Sequence, residues 1–163
     1  MNVKPLLLTT ALVAAGLAFT TAHAATVTDT MPVTISIENA CEISTAPTEL
    51  NFGTHGVLST NVDSLSTISV TCTTDAPYNI GLNGGASGNI NARTMTDGAD
   101  FVGYQLYQES ARTTVWGDTV GTNTMASSGT GDEQYFSVYG RVAPQTTPPA
   151  GTYNDSVTVT VTY

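Results

Sequence analysis

From Ala25 to Ile37 the chain reads ATVTDTMPVTISI, and its apolar residues fall on the odd positions: Ala25, Val27, Met31, Val33, Ile35 and Ile37. Thr and Ser fill most of the places between them. Side chains of an extended strand alternate between two faces, so this period of two makes one apolar face and one polar face. The same alternation closes the sequence, with Val157, Val159, Val161 and Tyr163 on one face and Thr158, Thr160 and Thr162 on the other. It recurs in LSTISVTC, in YNIGL (Tyr78–Leu82), in FVGYQLY (Phe101–Tyr107) and in QYFSVYGRV (Gln134–Val142). Strand is also expected over Val33–Ile43 and Tyr153–Tyr163. No stretch beyond residue 24 sustains the 3.6-residue period that a helix needs. Turn signals punctuate these runs: Asn83-Gly84-Gly85, Asp97-Gly98, Gly121, Gly129, Gly131 and Pro148-Pro149-Ala150-Gly151. Short strands between Gly and Pro turns predict an antiparallel β-sandwich, with a barrel as the alternative.

The opening stretch is longer than such a domain needs. At about 3.3 Å per residue it would span roughly 40 Å, whereas a typical strand has about five or six residues. The extra length raises the question of what it pairs with. One answer is an ordinary first strand with a frayed start.

Residues 1–24 have a different character. Lys4 precedes an apolar run from Leu6 to Phe19, and Ala22-His23-Ala24 supplies a small-x-small cleavage signal. This predicts a secretory signal peptide cut after Ala24, since the run is too short to span a bilayer. The remaining 25–163 suit one domain. Without Lys4 the cations are Arg93, Arg112 and Arg141, three against 13 Asp and Glu, a net charge of −10. Such an acidic chain is a poor partner for nucleic acid or an anionic membrane. Cys41 and Cys72 are the two cysteines, and each shares parity with the apolar residues of its own strand. In an exported chain an even count predicts a disulfide between them, with a reduced pair as the alternative. Oxidising export fits a bacterial periplasm or cell surface.

No catalytic set emerges. His55 is the one histidine after residue 24, and no strained serine turn surrounds it, Ser59 or Asp63. A zinc site needs three or four ligands, which one His and a cystine do not supply. Asp97-Gly98-Ala99-Asp100 lacks the spacing of a calcium loop and reads as a hairpin turn. Trp116, Tyr104 and Tyr107 read as packing residues, with a sugar-binding platform as the alternative. No enzyme activity, metal or cofactor is expected.

ENACEIS (Glu38–Ser44), LNFGTHG (Leu50–Gly56), ISVTCTTDAPYNIGLNGG (Ile68–Gly85), YQLYQESARTTVWGD (Tyr104–Asp118) and SVYGRVAPQTTPPAGTYNDSVTVTVTY (Ser137–Tyr163) together resemble the spore coat protein U domain family, which includes major pilins of archaic (Csu-type) chaperone–usher pili. The resemblance implies an incomplete immunoglobulin-like sandwich over 34–163, lacking its last strand. It implies that a donor strand from a neighbouring subunit, or from a periplasmic chaperone, fills the resulting groove. An outer-membrane usher exchanges one for the other. On that reading 25–33 is the donor extension, with Val27, Met31, Val33 and Ile35 as the plugs. Val157, Val159, Val161 and Tyr163 are then the groove wall. Strand addition of this kind satisfies an open sheet edge with main-chain hydrogen bonds. Asp29 shares the parity of the plugs, so it sits at the groove mouth or marks a shift of register. Pro32 has no N–H and must face away from the paired edge or lie at a bend. The implied function is a structural subunit of a surface fimbrium serving adhesion and biofilm. The alternatives are a secreted coat or matrix protein and a soluble carbohydrate-binding module.

Overall fold

The computed structural model describes residues 23–163. The signal-peptide expectation falls mostly on 1–22, outside the described residues. The chain divides into two units, one ending at Ile35 and one spanning Ser36–Tyr163.

In the first unit, the described residues to Ile35 carry no strand, despite their alternation. Val27 is 97% exposed, Met31 83%, Val33 84% and Ile35 82%. The pattern for a strand is present, but a strand holds only when a neighbour takes up its N–H and C=O groups.

The second unit contains eight strands. They are β1 (Cys41–Thr45), β2 (Val62–Cys72), β3 (Pro77–Leu82), β4 (Arg93–Thr96), β5 (Phe101–Tyr107), β6 (Met125–Ser128), β7 (Glu133–Val142) and β8 (Val159–Thr162). One sheet has the order β1-β2-β7-β5-β4 and the other β6-β3-β8. Every pairing is antiparallel. The sandwich expectation holds, and the described residues contain no α-helix, only a 3-10 turn at Gly85–Ser87.

The period of two decides what lies between the sheets. Ile68, Val70 and Cys72 of β2, Val138 and Val142 of β7, and Val102, Tyr104 and Leu106 of β5 face Tyr78, Ile80 and Leu82 of β3. Trp116 is fully buried and fastens the layers, its main-chain N–H donating to Leu106 O of one sheet and its indole Nε1–H to Ile80 O of the other. It presents no face to a sugar. A disulfide joins Cys41 and Cys72, which are direct register partners of β1 and β2.

The strand expected over Val33–Ile43 is shorter and later. Pairing begins only at Cys41, because Cys41–Thr45 is the part that meets β2. Likewise the run expected over Tyr153–Tyr163 forms β8 only at Val159–Thr162, where β3 lies alongside. Residues before it are held by single links, an isolated bridge between Thr96 and Asn154 and the Thr158–Asn83 hydrogen bonds.

Candidate functional site

Chain directions define the open side. A turn at 73–76 joins β2 to β3, so Cys72 and Pro77 mark one end of the sandwich, here the lower end. β1 starts opposite Cys72 and climbs. β8 pairs antiparallel with β3, from Val159 opposite Leu82 down to Thr162 opposite Asn79, and so descends. Beyond Thr45 the ascending segment leaves the regular ladder. Thr48 N–H still donates to Thr67 O at 3.2 Å, Ser64 Oγ donates to Asn51 O at 2.6 Å, and Gln145 N–H reaches Leu58 O at 3.0 Å at the upper end. Between this ascending wall and the descending 153–159 run lies a cavity of about 910 Å³ that opens into the core.

The floor of the cavity is the core itself. Ile68, Leu82, Val102, Leu106, Val138 and Val142 line it. Its walls carry the partly buried apolar residues: Leu50, Phe52 and Leu58 on one side, Tyr153, Val157 and Val159 on the other. Gly140 of β7 permits the first wall to sink this deep. A Cβ there would meet Leu50 Cδ2 at 2.6 Å and Phe52 Cζ at 3.0 Å. Phe52 then stands edge-on to Tyr104, with ring centroids 6.2 Å apart.

The lining also carries polar residues, among them Glu49, Asn51, Thr54, His55, Asn154 and Asp155. Tyr104 donates its hydroxyl to Asp155 Oδ2 at 2.7 Å. Burial and then that hydrogen bond to the carboxylate push the phenol well above its ordinary range. Asp155 Oδ1 also accepts from the N–H groups of Ala86 and Ser156. His55 Nε2–H donates to Phe52 O at 2.6 Å at the rim. Neither Arg nor Lys lines the cavity. Ser66 is the one buried polar residue of the floor. Its hydroxyl donates to Thr48 O and lies 3.1 Å from Thr48 Oγ1, which accepts from Thr67 N–H.

The residues expected at the groove wall are therefore divided. Val157 and Val159 line the cavity. Val161 packs on the core outside that lining, and Tyr163 is exposed. The expected plugs Val27, Met31, Val33 and Ile35 are exposed in the first unit. Sequence reasoning missed Leu50, Phe52 and Leu58, although Leu50-x-Phe52 carries the same alternation as the strands. It also missed Arg93, which is fully buried. Its guanidinium donates to the carbonyls of Leu82, Asn83, Ile90 and Trp116 and to Gln105 Oε1. Burial pulls its pKa below the ordinary value, while Tyr104 and the carboxylates of Asp118 and Asp155 oppose that shift. Among the described residues no group of three His, Cys, Asp or Glu could hold a metal ion.

A polar cluster on the outer face of the larger sheet stands apart from the cavity. Asp63 accepts from Arg141 Nε at 2.7 Å and Nη2 at 2.9 Å, and lies 3.3 Å from Arg112 Nη1. The Arg141 hydrogen bond leads in holding its carboxyl below the ordinary value of 3.8.

The family model for the Spore Coat Protein U domain matches residues 27–160. Protein U of Myxococcus xanthus is 35% identical over 162 residues, covering 90% of this chain and 90% of that protein. Among solved structures, the CsuC–CsuE complex of Acinetobacter baumannii, a chaperone–tip adhesion subunit pre-assembly complex of archaic chaperone–usher Csu pili, matches with a TM-score of 0.56 and 28% identity. That match covers 78% of this chain and 40% of the other.

Proposed function

The chain belongs to the Spore Coat Protein U domain family, and from that premise we propose that it is a structural subunit of a surface pilus built by a chaperone–usher system. The observation that carries this reading is a pair of unmet halves. A cavity of about 910 Å³ opens onto core residues of both sheets, and an exposed alternating segment has a strand pattern but no strand. In an assembled fibre, 25–33 of one subunit, continuing to Ile35, enters the cavity of the next. Val27, Met31, Val33 and Ile35 are its plugs, and Val157 and Val159 belong to the wall that receives them, with Val161 and Tyr163 continuing that wall below.

The energetics suit a durable join. Four buried plugs contribute roughly 6–12 kcal/mol gross. Ordering a free tail and losing translational freedom offset much of this. Edge hydrogen bonds add about 1 kcal/mol each. Before assembly the same open cavity needs a temporary cover. A periplasmic chaperone supplies it with a strand of its own, and an outer-membrane usher presides over the exchange. The product is a fimbrium that reaches the cell surface and serves adhesion and biofilm. The protein is a building block and not an enzyme.

The likeness to Protein U favours a second reading, a secreted coat or matrix protein. Deleting 25–33 separates the two. In cells that also express the chaperone and usher, the truncated chain is expected to accumulate folded and chaperone-bound and to form no fibres. Fibres of normal length from the truncated chain would overturn the donor assignment.

A further inference from the structure

Asp29 is the one charged side chain in 25–37, and it lies on the face of the plugs. A carboxylate that enters an apolar groove costs several kcal/mol unless donors meet it. The cavity floor has one buried polar residue, Ser66, backed by the Thr48 hydroxyl 3.1 Å away. Thr48 itself is exposed and lines the cavity. Its Oγ1 already accepts from Thr67 N–H, and Ser66 Oγ–H is spent on Thr48 O. The hydrogen of the Thr48 hydroxyl is therefore free to turn from Ser66 towards an incoming acceptor.

We propose that Asp29 of a second copy seats against the Thr48–Ser66 hydroxyl pair, and that this contact sets both the register and the direction of the inserted segment. The inference rests on the pilus reading above and deepens it. Thr48 and Ser66 lie at the lower end of the cavity, which runs upward to Leu58 and Tyr153 and does not include Val161 or Tyr163. With Asp29 at Thr48, a segment that climbs antiparallel to β8 carries Met31, Val33 and Ile35 along the open apolar length and leaves Val27 below it, towards Val161. Consecutive plugs are about 6.6 Å apart, two strand residues. A segment in the opposite direction carries those three residues below the cavity, where β1 and β8 close together. A two-residue slip upward puts Val27 on the hydroxyls and strands the carboxylate beside Leu50 and Phe52, and a slip downward puts Met31 on the hydroxyls and carries the carboxylate below the cavity, away from them. One polar residue in an apolar seam thereby fixes an alignment that apolar plugs alone leave degenerate.

The test uses the full-length chain expressed with its chaperone and usher, with fibres sheared from cells, thiols blocked and subunits separated on a non-reducing denaturing gel. The pair Asp29→Cys with Thr48→Cys is expected to give a covalent ladder, and Met31→Cys with Thr48→Cys to leave monomers. A ladder from the Met31 pair alone overturns the register and leaves strand donation standing. Absence of fibres from the unaltered chain overturns the pilus reading itself. Hydroxyl variants test the contact without new cysteines. Thr48→Val fibres are expected to dissociate in denaturant roughly ten- to a hundredfold faster than unaltered fibres, as for a lost hydrogen bond to a charged group, and Thr48→Ser fibres to match them. Equal rates for Val and Ser overturn the proposal.

Discussion

The two long sides of the second unit are built from the same alternating sequence and end in opposite states. On the closed side, β2, β7 and β5 form a continuous ladder above β3. Trp116 ties the layers by two hydrogen bonds, and Arg93 gathers four carbonyls and a side-chain amide into the interior. On the open side, Leu50, Phe52, Val157 and Val159 face a cavity, and the ascending wall is held by scattered main-chain and side-chain hydrogen bonds. The difference teaches that alternation prepares a face for burial but does not supply what buries it. The closed side has its cover in the same chain. The open side, on the proposed reading, waits for a second one.

The sharpest way to break this contrast is to cut into each side. Trp116→Ala removes a fully buried side chain and is expected to cost about 3–5 kcal/mol in denaturant unfolding of the isolated subunit. Val157→Ala or Val159→Ala, at a half-open wall, is expected to cost less than about 1 kcal/mol in the same measurement, because little burial is lost. In fibres the order should narrow if, on the proposed reading, an inserted strand buries the valines. Equal costs in the isolated subunit would mean that the open side is already closed.

A smaller effect is expected at the seam between the regions. Cys41–Cys72 pins β1, the foot of the ascending wall, to β2, closing a loop over a separation of 31 residues. Reduction is expected to lower stability by about 2–5 kcal/mol, read as a shift in the urea midpoint. Slower recovery of chaperone binding should accompany it, because β1 anchors the wall. An unchanged midpoint in reductant would show that β2 holds β1 without the bridge.

The smallest effect belongs to the outer face. The Asp63 carboxyl is held below its ordinary value by Arg141 and then Arg112, so its folded pKa is depressed. Its contribution is therefore complete above the ordinary carboxylate range and is lost as pH falls through the folded value. Asp63→Asn is expected to flatten the acid limb of the stability curve below about pH 4 by a small amount, since exposed pairs contribute little. The same variant should leave neutral-pH fibre assembly unchanged, which separates this cluster from the cavity.

Much of this contrast was legible in the sequence. The period of two in FVGYQLY predicted β5 residue for residue, and the parity of Cys41 and Cys72 with their apolar neighbours pointed to the disulfide found. The edge strands β4 and β6, four residues each, carried too few alternating residues to register. Arg93 was invisible for a physical reason. A charged residue is ordinarily solvated, and only the convergence of carbonyls from the end of β3, the nearby Ile90 and the later Trp116 makes its burial tolerable. The cavity was half legible. Val157 and Val159 announced themselves by alternation, whereas Leu50, Phe52 and Leu58 lie in an irregular segment whose inward position depends on the bare Cα of Gly140.

By itself the sequence determined which face of each segment is apolar, and with it an all-β chain with two cysteines on inward faces. Alternation is a property of neighbours along the chain, and needs nothing else to be read. Only the tertiary structure decided which of those faces found a partner. Hydrogen bonds between strands join residues far apart in sequence, so Cys41–Thr45 pairs while Val27–Ile37 does not, and one side of the sandwich stays open.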